Sequence, residues 1–345
     1  MMILGVWIMS TMCLTMIKYQ DVQVSYLQWY YGFHSLSKEL IYILSFVFSA
    51  MFGSLMALVH LYGYPKWFAS ASLLKDMGIR LACFVVIFSM SYLVIVYGIG
   101  IWLVPETKEV HIPLVNDEIA LMFLGCLLIN SFADFLLLVR KNMGPAYFSY
   151  IMQDKYYKPQ EEDRVFMFLD MVSSTTMAEA MGHVQFSTLL QECFQKLSSL
   201  LLKYDAEIYQ YVGDEAVITW KLTSNFQMEK CVDLYFDFSR MLLEAEHSFT
   251  EKYGWAPSFS AAIHQGKVTM ALVGDLKKEL AFHGDVLNTT ARMQALCKDY
   301  QVGLMVSKEV YQAMEITKTT YQYREIKEVI LQGKRKEITL YSVKG

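Results

Sequence analysis

The pattern of apolar and polar positions divides the chain into two parts. Four long apolar runs, at about residues 1–17, 40–61, 81–104 and 119–139, fall within the first 140 residues. A helix needs about 20 apolar residues to cross a bilayer core about 30 Å thick. We therefore predict an α-helical transmembrane domain of about four spans over residues 1–140, with the short first run as an anchor helix. Residues 150–345 alternate as in a globular domain.

The basic residues near the ends of these spans predict their orientation. Lys66, Lys75 and Arg80 lie between the second and third spans, and Arg140 and Lys141 follow the fourth, whereas the connection between the third and fourth spans is mainly acidic. Loops rich in Lys and Arg stay on the cytoplasmic side. We predict a multi-pass integral protein of the inner or plasma membrane, with both termini and the polar half in the cytoplasm.

Two polar residues, Asn130 and Asp134, interrupt the fourth span. An ionisable side chain in lipid is costly and usually faces a partner. Because Arg140 is within two turns of Asp134, one interpretation is a structural carboxylate that is paired there or reaches the membrane surface. The alternative is a role in helix pairing or in sensing a signal. The sequence leaves both open.

A Tyr-rich, charged segment at residues 141–163 connects the two parts. Pro159 ends any helix that continues from the fourth span, since proline disfavours helix in the residue before it. We predict a helix from about Pro145 to Tyr157, which is either a stiff lever between membrane and cytoplasm or a plain spacer.

Composition supports this division and excludes one class of partner. Hydrophobic residues make up 54% of the 345 residues, too many for one ordinary soluble domain. The formal net charge of −4 gives no broad basic surface, so we expect no nucleic acid binding.

Two acidic residues stand at the ends of predicted strands in the polar half. A strand at residues 164–170 ends at Asp170 and leads through a polar turn into a helical pattern from Met177 to Tyr204. Strands at residues 206–211 and 216–220 flank a tight turn that contains Asp214. Each acidic residue alone is most simply a structural turn residue.

The residues around these positions resemble a known family. Residues 168–175 (F-L-D-M-V-S-S-T) are similar to the F-x-D-I-x-G-[FS]-T motif of class III adenylate and guanylate cyclases, and residues 211–214 (Y-V-G-D) are similar to the family's second motif. Residues 282–293 (F-H-G-D-V-L-N-T-T-A-R-M) resemble its W-G-D-x-V-N-x-A-S-R-M block. The resemblance implies an α+β, ferredoxin-like catalytic domain at residues 164–345, of the membrane-anchored bacterial type, that works as a homodimer.

The resemblance also implies roles for individual residues. Asp170 and Asp214 would hold two Mg²⁺ or Mn²⁺ ions per active site, because such ions prefer carboxylate and phosphate oxygens. Asn288 would orient the ribose and Arg292 would stabilise charge at the α-phosphate, both from the partner subunit. Lys334, in a charged hairpin, would contact the terminal phosphates.

The first motif opens a helix, and backbone N–H groups at a helix start bind phosphate. The predicted phosphate-binding residues are consecutive in the chain: Met171, Val172, Ser173, Ser174 and Thr175.

The positions that read the base depart from the family. Gln210 stands where adenylate cyclases commonly have Lys, and Ala281 where they have Asp, Thr or Ser; guanylate cyclases would have Glu and Cys. A glutamine amide both donates and accepts hydrogen bonds and can therefore read either purine. ATP remains the favoured nucleoside triphosphate, with GTP and pyrimidine nucleotides open. Ser173 also replaces a glycine of the family's first motif.

Two other functions fit parts of this pattern. The turn at residues 212–215 is close to the G-G-[DE]-E turn of diguanylate cyclases, but residues 171–174 do not follow the Asp-x-Phe-Lys pattern of those enzymes. A membrane receptor whose cyclase-like domain binds a nucleotide without converting it is the other alternative. Product formation would distinguish that receptor from an enzyme.

Overall fold

The computed structural model describes residues 38–59, 73–103, 117–153, 155–314, 321–330 and 337–345. The chain divides into two compact units, Met1–Met143 and Gly144–Gly345. The predicted span at residues 1–17 and Lys334 both lie outside the described residues.

Long apolar helices form the described part of the first unit. They are α1 (Lys38–Leu58), α2 (Leu73–Leu103) and α3 (Asp117–Met143), and they contain most of the spans predicted at 40–61, 81–104 and 119–139. By length and composition, stretches of α2 (Lys75–Val94) and α3 (Phe123–Arg140) could each cross a membrane. The apolar part of α1, Phe46–Leu58, is shorter.

Phenylalanine rings hold these three helices together. Phe52 of α1 meets Phe84 of α2 edge to face at a centroid distance of 5.8 Å, and Phe88 of α2 meets Phe123 of α3 at 5.1 Å. Edge-to-face pairs at such distances are favourable beyond the area that they bury.

A polar cluster joins α2 to α3. Arg80 Nη1 donates to Asp134 Oδ1 at 2.8 Å and Arg80 Nε donates to Asp76 Oδ2 at 3.1 Å, while Asn130 Nδ2 donates to Asp134 Oδ2 at 2.9 Å. Asp134 is therefore a paired carboxylate, as one of the two interpretations expected, and Arg80 of the neighbouring helix is a partner that the sequence did not indicate. A charge between two apolar helices is stabilised by a partner across the interface, and this supports the helix-pairing alternative.

The second unit is an α+β domain built on one eight-stranded sheet. Its elements in chain order are α4 (Pro145–Met152), β1 (Gln160–Met171), α5 (Ser174–Met181), α6 (His183–Leu201), β2 (Glu207–Val212), β3 (Glu215–Lys221), α7 (Glu229–Glu244), α8 (Glu246–Tyr253), β4 (Phe259–Val273), β5 (Glu279–His283), α9 (Asp285–Asp299), β6 (Leu304–Ser307), α10 (Lys308–Ala313), β7 (Gln322–Ile330) and β8 (Glu337–Lys344).

The strand order is β2-β3-β1-β4-β6-β8-β7, with β5 paired to β4. The first four strands and the helices between them form the β-α-β-β-α-β arrangement of a ferredoxin-like fold. The single helix predicted at 177–204 is instead two helices, because Gly182 between them has a φ of 81°, which helical residues do not adopt.

Strand β1 buries both of its faces. Its odd-numbered residues from Val165 to Met171 pack into a core with α6 and α7, and its even-numbered residues Phe166 and Phe168 pack against β5 and α9. This alternation is the two-residue period of a strand. Asp170 continues the even-numbered face, so it lies at the end of the strand on the α9 side.

The connecting segment packs on the same sheet face as Phe166, at the end of β1 opposite to Asp170. Arg164 is fully buried and donates through Nη1 to Glu207 Oε2 at 3.2 Å and through Nη2 to the Tyr150 hydroxyl at 3.1 Å. Tyr156, also buried, donates its hydroxyl to Glu162. The predicted helix over residues 145–157 ends at Met152, and the residues after it turn back to place Tyr156 on the sheet.

Candidate active site

Two strands bring Asp170 and Asp214 together. Asp170 is the penultimate residue of β1 and Asp214 lies in the two-residue turn between β2 and β3. Because β1 and β3 are neighbours in register, Asp170 pairs directly with Glu215, the residue after Asp214. The Gly213 φ of 62° allows this tight turn at little cost. The carboxyl groups of Asp170 and Asp214, which the sequence singled out, are within hydrogen-bonding reach of each other.

The environment of these carboxyls disfavours negative charge in the absence of a cation. Burial and the neighbouring Asp214 carboxyl raise the pKa of Asp170 to about 6. Burial, followed by the charges of Asp170 and Asp214, raises the pKa of Glu215 to about 7. Like charges held together in a desolvated site have this effect, and a bound cation reverses it.

The donor set fits a magnesium-type ion. Across the residues that the structure describes, no lysine or arginine forms an ion pair with Asp170, Asp214 or Glu215, and no three His, Cys, Asp or Glu side chains are arranged to hold a metal. Mg²⁺ usually binds through one or two carboxylates and completes its shell with water and substrate phosphates. Asp170 and Asp214 match that pattern, and Glu215 adds negative charge without completing a third protein ligand.

The turn after β1 opens helix α5. The Met171 N–H donates to the Asp170 carboxyl, and the Val172 N–H donates to Ser258 O at 2.9 Å. Of the predicted phosphate-binding amides, those of Ser173, Ser174 and Thr175 therefore remain for a ligand at the helix start. Ser173 has a φ of 59°, the left-handed conformation that explains why the family has glycine here.

Helix α9 carries most of the third motif and packs on the sheet face that contains Phe166 and Phe168. Its residues Val286, Thr290 and Met293 are buried. Asn288 is exposed and Arg292 is partly exposed, and four-residue spacing places them on one face of the helix. Within the described ranges, neither makes a hydrogen bond or an ion pair. The structure therefore brings Asp170 and Asp214 together, and among the described residues of the same chain it gives Asn288 and Arg292 no partner.

Packing at the start of α9 requires small residues. A Cβ on Gly284 would lie 3.1 Å from the carbonyl oxygen of Lys267, and a Cβ on Gly266 would lie 2.7 Å from Val286 Cγ2. The glycine of the third motif thus lets the helix begin directly against β4.

The base-pocket positions Gln210 and Ala281 lie on β2 and β5, and the residues next to them in sequence are in contact. A bulge in β2 between Ile208 and Gln210 turns Gln210 to pair with Val217. The Tyr209 ring meets the Phe282 ring at a centroid distance of 4.7 Å. Gln210 is exposed, and Ala281, the neighbour of Phe282, is partly buried.

Sequence reasoning missed two groups in this region. Glu215 follows the second motif directly, so its contact with Asp170 could have been found from the predicted hairpin. Gln294 of α9 donates through Nε2 to Asp170 Oδ2 at 3.3 Å. No local sequence pattern indicated it, because Gln294 and Asp170 are 124 residues apart.

Comparison with known proteins identifies the second unit. The family described as adenylate and guanylate cyclase catalytic domain matches residues 156–345, more than half of the chain. Adenylate cyclase 2 of Rhizobium meliloti (strain 1021) is 33% identical over 176 residues, which cover 51% of this chain and 48% of that protein. The adenylate cyclase of Anabaena cylindrica is 24% identical over 189 residues, which cover 52% and 36% of the two chains.

The chain thus spans less than half of the length of these relatives. The structure of a bacterial light-regulated adenylyl cyclase has a TM-score of 0.55 and 15% identity, with 70% of this chain and 72% of that chain covered, and shows the shared fold. With its motifs, topology and matched residues in agreement, the chain belongs to the family of class III adenylate and guanylate cyclase catalytic domains.

Proposed function

We propose that this protein is a membrane-anchored nucleotide cyclase that converts ATP to 3′,5′-cyclic AMP and pyrophosphate at the interface of a homodimer. One observation carries the proposal. Each chain holds a complete pair of metal-type carboxylates, Asp170 and Asp214, while its Asn288 and Arg292 are unpaired within the described chain. A symmetric dimer would place the unpaired groups of one chain at the carboxylates of the other.

The reaction is an in-line attack of the ribose 3′-hydroxyl on the α-phosphate, with pyrophosphate as leaving group. Two Mg²⁺ or Mn²⁺ ions, when bound, activate the hydroxyl and neutralise the triphosphate. Asp170 and Asp214 would hold these ions. The free amides of residues 173–175 would bind phosphate oxygens at the start of α5, and Lys334 is the proposed contact of the terminal phosphates.

The partner subunit would supply the remaining groups. Asn288 would hydrogen-bond the ribose and so keep the 3′-hydroxyl in line. Arg292 would stabilise the negative charge that develops on the α-phosphate oxygens, as arginine does in other phosphoryl transfers. Positioning and charge stabilisation would account for the catalysis, because no covalent intermediate with the protein is needed.

The two base-pocket residues accommodate either purine base. Gln210 can hydrogen-bond adenine or guanine and Ala281 supplies only shape, so GTP is the alternative substrate. ATP is favoured because the relatives reported above are adenylate cyclases.

Membrane anchoring is part of the proposal. Two helices of sufficient length and apolarity, and the basic residues that flank the spans, support a multi-pass protein with both termini and the catalytic domain in the cytoplasm.

A nucleotide panel tests the proposed function. The purified full chain in detergent is incubated with ATP, GTP, CTP or UTP and with Mg²⁺ or Mn²⁺, and cyclic product is measured. We expect cyclic AMP from ATP, and roughly a thousandfold less with Asp170→Ala, because charge stabilisation by a catalytic metal ion is worth several kcal/mol. Asp163→Ala, on the same strand and 53% exposed, is the matched control and should retain activity.

A non-catalytic receptor would bind ATP in this experiment without forming product from any of the four nucleotides. Full activity of Asp170→Ala would contradict the two-metal assignment.

A further inference from the structure

Gln294 links helix α9 to the carboxylate end of β1. Its Nε2 donates to Asp170 Oδ2 and to Ser260 Oγ, both at 3.3 Å. Ser260 is the β4 residue paired with Asp170 in the sheet register. One amide group therefore joins three elements, β1, β4 and α9, at the first metal-type carboxylate.

The geometry of the helix separates Gln294 from the catalytic pair proposed above. Successive residues of an α-helix are rotated by about 100°, so Gln294 is rotated about 200° from Arg292, whereas Asn288 and Arg292 are nearly aligned. Gln294 faces the carboxylate of its own chain. Asn288 and Arg292 lie on the other face, where they have no partner within the described residues.

A neutral donor suits this position chemically. Asp170 is already close to the carboxyls of Asp214 and Glu215, so another acidic side chain would add repulsion. A lysine or arginine would compete with a cation for the carboxylate. The amide of Gln294 restrains one carboxylate oxygen without changing the charge of the site, as partners of metal ligands commonly do.

We propose that Gln294 is a positioning residue that orients Asp170 within its own chain for metal binding. Helix α9 would then serve two sites of the dimer, with Gln294 acting on its own chain and Asn288 and Arg292 acting on the partner. The action of Asn288 and Arg292 on the partner rests on the proposed function. The role of Gln294 rests on its observed hydrogen bonds.

The first test measures metal binding with and without turnover. Gln294→Met keeps the length of the side chain and removes the amide. We expect the Mg²⁺ concentration for half-maximal activity to rise about tenfold, the lower end of the usual effect for partners of metal ligands. The rate at saturating Mg²⁺ should change much less. Mn²⁺ binding to the full chain without nucleotide, followed by electron paramagnetic resonance, should weaken by a similar factor.

Two further variants keep this test interpretable. Gln265→Met is the matched control: its Nε2 donates to Glu309 O at 3.1 Å, five residues along β4 from Ser260, and its loss should leave the metal requirement unchanged. Ser260→Ala removes the second partner of the Gln294 amide and should raise the metal requirement about two- to threefold. Unchanged metal binding in both Gln294→Met and Ser260→Ala would overturn the proposal.

The second test asks in which chain Gln294 acts. Mixed dimers of an Asp214→Ala chain with an Arg292→Ala chain contain one complete site, whose metal carboxylates come from the Arg292→Ala chain. Adding Gln294→Met to the Arg292→Ala chain should raise the Mg²⁺ requirement about tenfold. Adding it to the Asp214→Ala chain should leave the requirement unchanged.

The reverse result would mean that Gln294 supports the Arg292 side of the helix and would overturn the proposal. A failure of the proposed function is recognised separately: wild-type protein would then make no product, whereas the effect of Gln294→Met on Mn²⁺ binding would still be measurable.

Discussion

Asp170 and Glu215 are paired directly across β1 and β3, so their carboxyl groups share one face of the sheet. Burial and the neighbouring Asp214 raise the pKa of Asp170 to about 6. Burial, Asp170 and Asp214 raise the pKa of Glu215 to about 7. A carboxyl whose pKa is higher in the folded state binds more protons there than in the unfolded chain. Its contribution to stability is therefore complete at low pH and is lost as pH rises through the folded value.

Glu215→Gln tests this electrostatic strain. At pH 4 the neutral glutamine and the protonated glutamate should be nearly equivalent. As pH rises from about 4.5 to about 7, the variant should become progressively more stable than wild type without metal, because only wild type acquires the buried charge. Urea unfolding at pH 4 to 8 measures the difference. Saturating Mg²⁺ should reduce it, and a difference that shrank with rising pH would contradict the assignment.

The buried Arg164 should be essential for stability of the second unit. Arg164→Met leaves Glu207 and the Tyr150 hydroxyl without their cationic partner, and breaking a buried pair in this way costs about 3–5 kcal/mol. Tyr150→Phe, which removes one hydroxyl from the same cluster, should cost about 1 kcal/mol. Thermal unfolding of the full chain provides the measurement.

Arg240→Met is the matched control for that substitution. Arg240 is 63% exposed and pairs with Asp237 at 3.1 Å on the surface, so its loss should cost at most about 1 kcal/mol. If Arg164→Met were no more costly than Arg240→Met, the buried cluster would not hold the connecting segment to the sheet.

Replacing Ser173, the left-handed residue of the first motif, with glycine should stabilise the protein rather than destabilise it. Ser173 has a φ of 59°, where a residue with a Cβ is about 1 kcal/mol less stable than glycine. Ser173→Gly should therefore maintain or raise the free energy of unfolding, by up to about 1 kcal/mol, while Ser173→Val should lower it by more than that amount. A loss of stability in Ser173→Gly equal to that in Ser173→Val would rule out the strained turn.

The polar cluster of the first unit should pair α2 with α3. Asp134→Leu removes the carboxylate that accepts from Arg80 and Asn130, and should destabilise the helical unit by about 3 kcal/mol. Arg80→Asp alone and Asp134→Arg alone should each lower the stability of the helical unit. The double variant, which reverses the pair, should recover part of that stability. Thermal unfolding in detergent tests this, and strict additivity of the two changes would contradict a direct contact.

The parts of this protein that sequence could predict are those set by local patterns. The strand that carries Asp170, the hairpin that holds Asp214 and the positions of the described apolar helices follow from periodicity and turn residues. The side-chain contacts that the sequence did not predict join residues far apart in the chain. Arg80 and Asp134 are 54 residues apart, and Gln294 and Asp170 are 124 residues apart.

No periodicity in a single sequence identifies such partners.

The helix break at Gly182 was missed for a different reason, since an isolated glycine within a helical pattern is usually tolerated. The assignments of Asn288, Arg292 and Lys334 depend on family resemblance, and of these Lys334 lies outside the described residues.

Mixing two inactive chains tests the shared active site most directly. Asp214→Ala and Arg292→Ala chains are each expected to form no cyclic nucleotide, because every site in each homodimer lacks one essential group. In an equal, freely exchanging mixture half of the dimers would be mixed, each with one complete site, so about a quarter of wild-type activity should return. Verified mixed dimers that remain inactive would contradict a catalytic site built from two subunits.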